Sequence, residues 1–383
     1  MSDIPMLHLT HAWLGRLNLF SVAFVFALLP FQPSTSLWGQ DKTKSSVERV
    51  SLYFPEKQGE WERIDPAQVG WDKAKLDAAL SFAGGQKSSG VVVLFRGRIL
   101  AEQYWTVKKS LRYRAMRHGQ DANGHALEDV ASVQKSVAAT LLAVALDREL
   151  VKLDDPVESY LGQGWSNASR DVESGITLRH LITMTTGLTD RLEFSAPAGS
   201  KWKYNTNAYS RIVNVMEAAS DLDRNQITRK WLGPIGMSDS NWVVRRHARQ
   251  DPKTNRYGFV TSARDLARFG LMILAKGKWN GETVVPDSQY FRDMLQPSQK
   301  LNPSYGYLWW LNGQSHAIRA GRGRRQGSLL PAAPRDLVAG LGALGRKVYV
   351  VPSQELVVTR LGDAPGVNFD EQFWRKLMAA SPK

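Results

Sequence analysis

Residues 129–150, DVASVQKSVAATLLAVALDREL, restrict the fold more than any other stretch of the chain. From Ser132 to Leu146 almost every position is small or apolar. No glycine or proline interrupts the run, and Asp147 and Arg148 appear only at its far end. A helix apolar on nearly all sides belongs inside a protein, so the remaining elements must form layers around it. Ser132 and Lys135 are the exceptions. Three residues apart on a helix, they share one face and can touch. Burial disfavours the ammonium form of a lysine and drives it toward a neutral, basic amine. A serine in the first helical turn lies in the positive field of the helix N-terminus, which favours a developing alkoxide. Nucleophile and base thus coincide in Ser132-Val133-Gln134-Lys135.

The pattern is short, and Ser200-Lys201-Trp202-Lys203 repeats it. That second copy follows Pro197-Ala198-Gly199 and reads as loop, so the rest of the chain must decide between them. The chain has no cysteine, which removes thiol nucleophiles and cysteine metal sites from consideration. No H-E-x-x-H, G-x-S-x-G or phosphate-loop pattern occurs. The seven histidines are scattered, and His180 reads as a packed or surface residue within a helix. No metal or other cofactor is expected.

At the N-terminus, residues 19–29 (LFSVAFVFALL) form an apolar run behind Arg16, followed by Pro30 and small residues from Ser34 to Gly39. That layout predicts a secretory signal peptide over 1–39, cleaved after Ser36 or Gly39. The run is short for a membrane span, so an exported, periplasmic or envelope-associated protein is expected. Residues 40–69 read as a polar linker and 70–383 as one domain. The formal charge of +14 gathers around Arg245, Arg246 and Arg249 and again at Arg319, Arg322, Arg324 and Arg325. Such clusters suit an anionic envelope surface in an exported protein, and no nucleic-acid partner is expected.

Helical spacing predicts helices at 72–82, 176–186, 208–220 and 261–275, and an amphipathic one at 369–379. β-rich runs at 90–96 and 99–105, split by Gly97-Arg98, predict a hairpin. Strand character returns at 305–311, 347–351 and 355–360. Strands at both chain ends therefore flank a helical insert, about 131–298. The expected fold is α/β of the α+β kind: one antiparallel sheet built from both ends, covered by helices, with an all-helical subdomain beside it. The Ser132 helix starts at the junction, where clefts form.

Two further places are candidates. Tyr204, after a Pro/Gly loop and before a helix, can move protons to and from a serine if it faces the cleft. Gly340-Leu341-Gly342-Ala343 precedes the last strand pair, where glycines allow close approach of substrate backbone. A backbone N–H there can join that of Ser132 as an oxyanion hole.

The order of these parts resembles the serine β-lactamase-like superfamily of penicillin-recognising enzymes. Its members include class C β-lactamases, DD-peptidases, related esterases and 6-aminohexanoate-oligomer hydrolases. The resemblance spans about 70–361. It rests on Ser132-Val133-Gln134-Lys135, on Leu153-Asp154-Asp155-Pro156-Val157, on Ile176 through Leu188, on Tyr204, on Thr261 through Leu266 and on Tyr305 through Trp310. It implies a β-lactamase/transpeptidase-like fold, Ser132 as acylated nucleophile, Lys135 as proton acceptor or electrostatic partner, and Tyr204 as proton shuttle. It also implies an oxyanion hole from the backbone of Ser132 and Ala343, and substrate contacts at Thr206, Gly340 and Gly342.

Two departures bear on substrate. The second motif is Tyr204-Asn205-Thr206, where class C enzymes carry Tyr-x-Asn. The third, usually Lys-Thr-Gly or His-x-Gly, is Gly340-Leu341-Gly342. Gly340 supplies neither charge nor side-chain donor, which predicts a wider cleft and a preference for neutral esters or amides over penicillins. The expected activity is that of an exported serine hydrolase acting on small-molecule or peptide-like esters or amides. The alternatives are a DD-peptidase, a β-lactamase, or a penicillin-recognising sensor that acylates without turnover.

Overall fold

Valine-rich runs set the centre of the structure. A computed structural model describes residues 51–382, apart from Lys109, His247, Arg249, Asp287, Ser288 and Arg322. The leader and the first part of the linker lie outside the described residues. Along the chain come helix α1 (Lys73–Gly85), the hairpin β1 (Ser88–Phe95) and β2 (Arg98–Tyr104), and strand β3 (Ala126–Asp129). After helix α2 (Gln134–Asp147) and a mainly helical stretch come β4 (Tyr257–Thr261) and α3 (Ala263–Leu274). The last part holds β5 (Trp310–Leu311), β6 (His316–Ile318), β7 (Arg324–Gln326), β8 (Val338–Leu341), β9 (Lys347–Val351), β10 (Leu356–Gly362) and α4 (Phe369–Ala380).

The main sheet has the order β2-β1-β10-β9-β8-β5, every pair antiparallel. The N-terminal hairpin therefore docks on the C-terminal strands, with Val92 opposite Thr359 and Val93 opposite Val358. β9 and β10 are buried at every position, because helices cover both faces of the sheet. α1 and α4 pack together on one side, and α3 lies on the other, against β1, β9 and β10. Asp72 caps α1 and Ser262 caps α3, each side chain accepting a backbone N–H three residues on. The antiparallel sheet with helices on both faces is the expected α+β architecture.

Several expectations change. Residues 51–69, expected as linker, belong to the domain. The Ile64 N–H donates to the Ile99 carbonyl and the Ile99 N–H to the Glu62 carbonyl, and the Trp61 indole donates to the Gly97 carbonyl. Their polarity concealed a short edge pairing anchored by one tryptophan. The insert at 131–298 is not all helical. Arg117–Gln120, β3, β4 and Asn241–Val244 form a second antiparallel sheet, and α3 belongs to the main sheet because its apolar face is buried there. The helix expected at 176–186 shortens to Leu178–Ile182, since Met184 turns into the left-handed region at φ 61°. Only Trp310–Leu311 of the 305–311 run pairs as strand. The rest forms a tight turn in which Leu308 has φ 60°.

Candidate active site

α2 is buried along almost its whole length, as its composition requires. Ahead of it, Ala131–Val133 forms one turn of 3-10 helix that carries Ser132. Ala131 adopts φ 50°, a costly conformation for a residue with a side chain. It is held there by its own N–H, which donates to Asp129 Oδ1 at 2.8 Å, while Arg245 grips the same carboxylate through Nε at 2.6 Å. Arg245 also reaches Gln134 Oε1 at 3.2 Å. Arg245, expected in a surface cluster, thus faces inward and braces the turn bearing Ser132.

Lys135 is 1 % exposed. Its Nζ donates to Ser132 Oγ and to Thr206 Oγ1, each at 3.2 Å. The same atom lies 4.6 Å from the ring centre of Tyr204 and 4.2 Å from that of Tyr209. Burial, helped by the positive charge of Arg245, holds its pKa well below the ordinary lysine value. Among the described residues no carboxylate offsets that shift, and the two acceptors of Nζ are hydroxyls. Tyr204 is driven the other way. Burial pushes its phenol above the usual range, and interaction with Ser132 offsets part of the rise. The arrangement is therefore an amine whose charged form is disfavoured beside a hydroxyl, with a phenol whose ionisation is disfavoured alongside.

The second motif divides its labour. Asn205 is buried and structural: its amide donates to the carbonyls of Leu188 and Thr189, and its oxygen caps the following turn. Thr206 supplies the contact to Lys135. Ser200, the serine of the repeated pattern, lies in an exposed loop and donates to Pro197 O at 2.6 Å. His180 caps its own short helix through Thr177.

Ser132, Tyr204, Leu341, Gly342 and Ala343 line one cavity of about 630 Å³. β5 pairs only with Val338 and Ala339, so β8 presents an open edge from Gly340 onward. Gly342 is required by close approach: a Cβ there would lie 2.3 Å from the carbonyl oxygen of Val130, the second residue before Ser132. Gly340 does not behave as expected. It is buried away from the cavity, where a Cβ would meet Val133 and Val348 at 3.0 Å and Ser136 at 3.2 Å. Its missing side chain therefore does not widen the cleft, and that ground for a neutral substrate falls.

Sequence reading missed several contributors. Trp310 forms an aromatic wall stacked on Tyr204 at 5.9 Å, signalled only by the Trp309-Trp310 pair. Gln134, Tyr209 and Asp129 tie the Ser132 turn to its neighbours. Arg346 and Arg360 are fully buried behind the Ala343–Gly345 turn: Arg346 donates to Ala343 O, and Arg360 to the carbonyls of Leu344 and Gly345. No pattern in sequence distinguishes these arginines from surface ones.

An antiparallel sheet with helices on both faces, and a Ser-Lys-Tyr cluster beside the open edge of β8, define a protein of the β-lactamase/transpeptidase fold. The chain belongs to the β-lactamase family, whose sequence model matches residues 75–381. An uncharacterized protein of Alkalihalophilus pseudofirmus is 25% identical over 318 residues, covering 73% of this chain and 86% of the relative. Among solved structures, a protein provisionally named a 6-aminohexanoate-dimer hydrolase from Bacillus anthracis superposes with a TM-score of 0.61 at 16% identity, covering 85% of this chain and 88% of that one. A class C β-lactamase gives 0.57 at 15%, covering 83% and 97%. EstCE1, a hydrolase with promiscuous acyltransferase activity, gives 0.57 at 14%, covering 81% and 98%. At these identities the structural likeness speaks for the fold, which is that of a hydrolase family.

Proposed function

We propose that the protein is an exported serine hydrolase that cleaves esters or amides through an acyl-enzyme on Ser132. The observation that carries this reading is the Lys135 amine, buried without a counter-charge and 3.2 Å from Ser132 Oγ. In the acylation step Lys135 takes the hydroxyl proton as Oγ bonds to the substrate carbonyl carbon. The negative charge formed on the carbonyl oxygen is held by the backbone N–H groups of Ser132 and Ala343. Collapse of the intermediate breaks the bond to the leaving group, which takes a proton from Tyr204, and Tyr204 regains one from Lys135. Water repeats the sequence to release the acid and restore Ser132. An amine with lowered pKa suits the base, and a phenol with raised pKa suits the donor.

The test joins labelling to mutation. A serine-directed phosphonate should add once, at Ser132, and S132A should lose both adduct and turnover. Y204F should lower kcat by about 10²–10⁴. Adduct on Ser200, or full activity in S132A, would refute the assignment. Export rests on the 19–29 run alone. It is checked by N-terminal sequencing of the mature chain, which should begin at Leu37 or Gln40 rather than Met1.

A further inference from the structure

Asp129 and Arg245 reach each other across a strand that makes room for them. Asp129 ends β3, and Arg245 follows the strand Asn241–Val244, with β4 between the two. On β4 the residue opposite Val243 is Gly258, where a Cβ would lie 2.1 Å from Asp129 Oδ2. Arg245 fills that gap, donating from Nε to Oδ2 at 2.6 Å and from Nη2 to Oδ1 at 3.1 Å. The carboxylate is buried and the guanidinium largely so, which leaves their charges little screened by solvent. Two connections lead from the pair toward the site. Asp129 Oδ1 accepts the N–H of Ala131, the residue before Ser132, at 2.8 Å. Arg245 Nη2 donates to Gln134 Oε1 at 3.2 Å, and the Gln134 amide donates to the Tyr209 hydroxyl. The ring of Tyr209 lies 4.2 Å from Lys135 Nζ. Neither Asp129 nor Arg245 lines the cavity that holds Ser132, so any effect they have passes through other residues.

We propose that Asp129 and Arg245 are positioning residues for the reaction at Ser132, with separate tasks: the carboxylate fixes the serine turn, and the guanidinium holds a positive charge toward Lys135. This rests on the hydrolase reading above and adds to it what prepares the Ser132–Lys135 pair. Among the described residues, the titratable or charged groups that face Lys135 are Tyr204, Tyr209 and Arg245. Arg224, Asp129 and Tyr305 stand one layer further out and act on Tyr209. The two phenols carry no charge while protonated, so Arg245 is the cation that opposes a proton on the amine. A guanidinium keeps its charge throughout the working range of pH, which makes that opposition constant. Lysine in its place would keep the charge but not the fork that grips Asp129 and Gln134 together.

The experiment follows Lys135 directly in the full chain. With lysine carbon-13 labelled at Cε, the Lys135 signal is the one missing from K135M, and its shift against pH gives the midpoint of the amine. Kinetics supplies a second midpoint, from the acid limb of kcat/KM for para-nitrophenyl butyrate. R245M should raise both midpoints by about 0.5–1 pH unit, the effect of one unit charge at short range inside a protein. It should also lower kcat by about ten- to a hundredfold, through misplacement of Ser132. R245K should hold both midpoints near wild type and recover part of kcat. D129N keeps the cation but frees the Ala131 turn, so kcat should fall with no rise in either midpoint. Circular dichroism sets the pH range in which each variant is folded, and within it the midpoints do not depend on the amount folded. If D129N fails to fold, R245M against R245K decides: equal midpoints in the two overturn the inference. So does a fall in kcat in every variant with the midpoints unmoved, or a rise in D129N equal to that in R245M. If the Lys135 signal moves as expected while S132A retains full turnover, the hydrolase reading has failed and the role of Arg245 toward Lys135 stands.

Discussion

Replacing Glu128 by glutamine tests how the two halves of the site are fixed to each other. Glu128 sits in β3, four residues before Ser132. Arg346 follows the Ala343–Gly345 turn. Both side chains are 0 % exposed, with Arg346 Nη2 2.8 Å from Glu128 Oε2. The partners are unequally supplied. Glu128 also accepts from Ser89 Oγ at 2.6 Å, the Tyr113 hydroxyl at 2.8 Å and the Gly362 N–H at 3.1 Å. Among the described residues, the Arg346 side chain has beyond this pair the Ala343 carbonyl at 3.3 Å and the Tyr113 ring at 5.9 Å, with Asp363 acting on it only at longer range. E128Q therefore strands a buried guanidinium and should cost about 3–5 kcal/mol. R346M leaves a carboxylate with three donors and should cost less, about 1–3 kcal/mol. The double variant removes both charges and should recover about 0.5–3 kcal/mol of the summed cost. Urea unfolding supplies the numbers, read from the midpoint at unchanged slope. The turns bearing Ser132 and Ala343 lose their common tether in each single variant, so kcat should fall more than KM rises. R346M proving as costly as E128Q, or both costing under about 0.5 kcal/mol, would refute this account of the pair.

Two other predictions concern Lys135 and the glycines. The folded Lys135 amine titrates below the ordinary 10.5, so between the two values the unfolded chain binds the extra proton and stability rises with pH. K135M should thus be more stable than wild type at neutral pH, with the advantage fading toward 10.5. Denaturation midpoints across that range check it, and parallel curves for the two proteins would exclude a depressed amine. In wild type, kcat/KM should fall as acidification protonates the same group. G342A should lose most activity, because its Cβ would press the Val130 carbonyl at 2.3 Å, whereas G340A meets only side chains at 3.0 Å or more and should retain most. Circular dichroism separates these losses from unfolding, and equal losses would contradict the different surroundings of the two positions.

What the sequence determined was whatever depends on local pattern. The apolar run after Ser132 had to be an interior helix, because no face of it can meet water without loss. The 90–105 hairpin, helices α1 and α3 and the last two strands likewise follow from periodicity and turn chemistry, and together they imply the antiparallel sheet. Ser132, Lys135 and Tyr204 were legible as chemistry because the first two are three residues apart and the third stands in a matching motif. The tertiary structure alone decided what long-range packing controls. Gly340 is turned from the cavity by the pleat of β8, in which neighbouring residues face opposite sides. Arg245, Arg346, Arg319 and Arg325 carry the same side chain, yet one braces the Ser132 turn, one is paired in the core, and two line the cavity. Which role an arginine takes depends on the charges brought near it from distant segments, Asp129 at 116 residues' separation among them. That information is a property of the fold, not of any stretch of the chain.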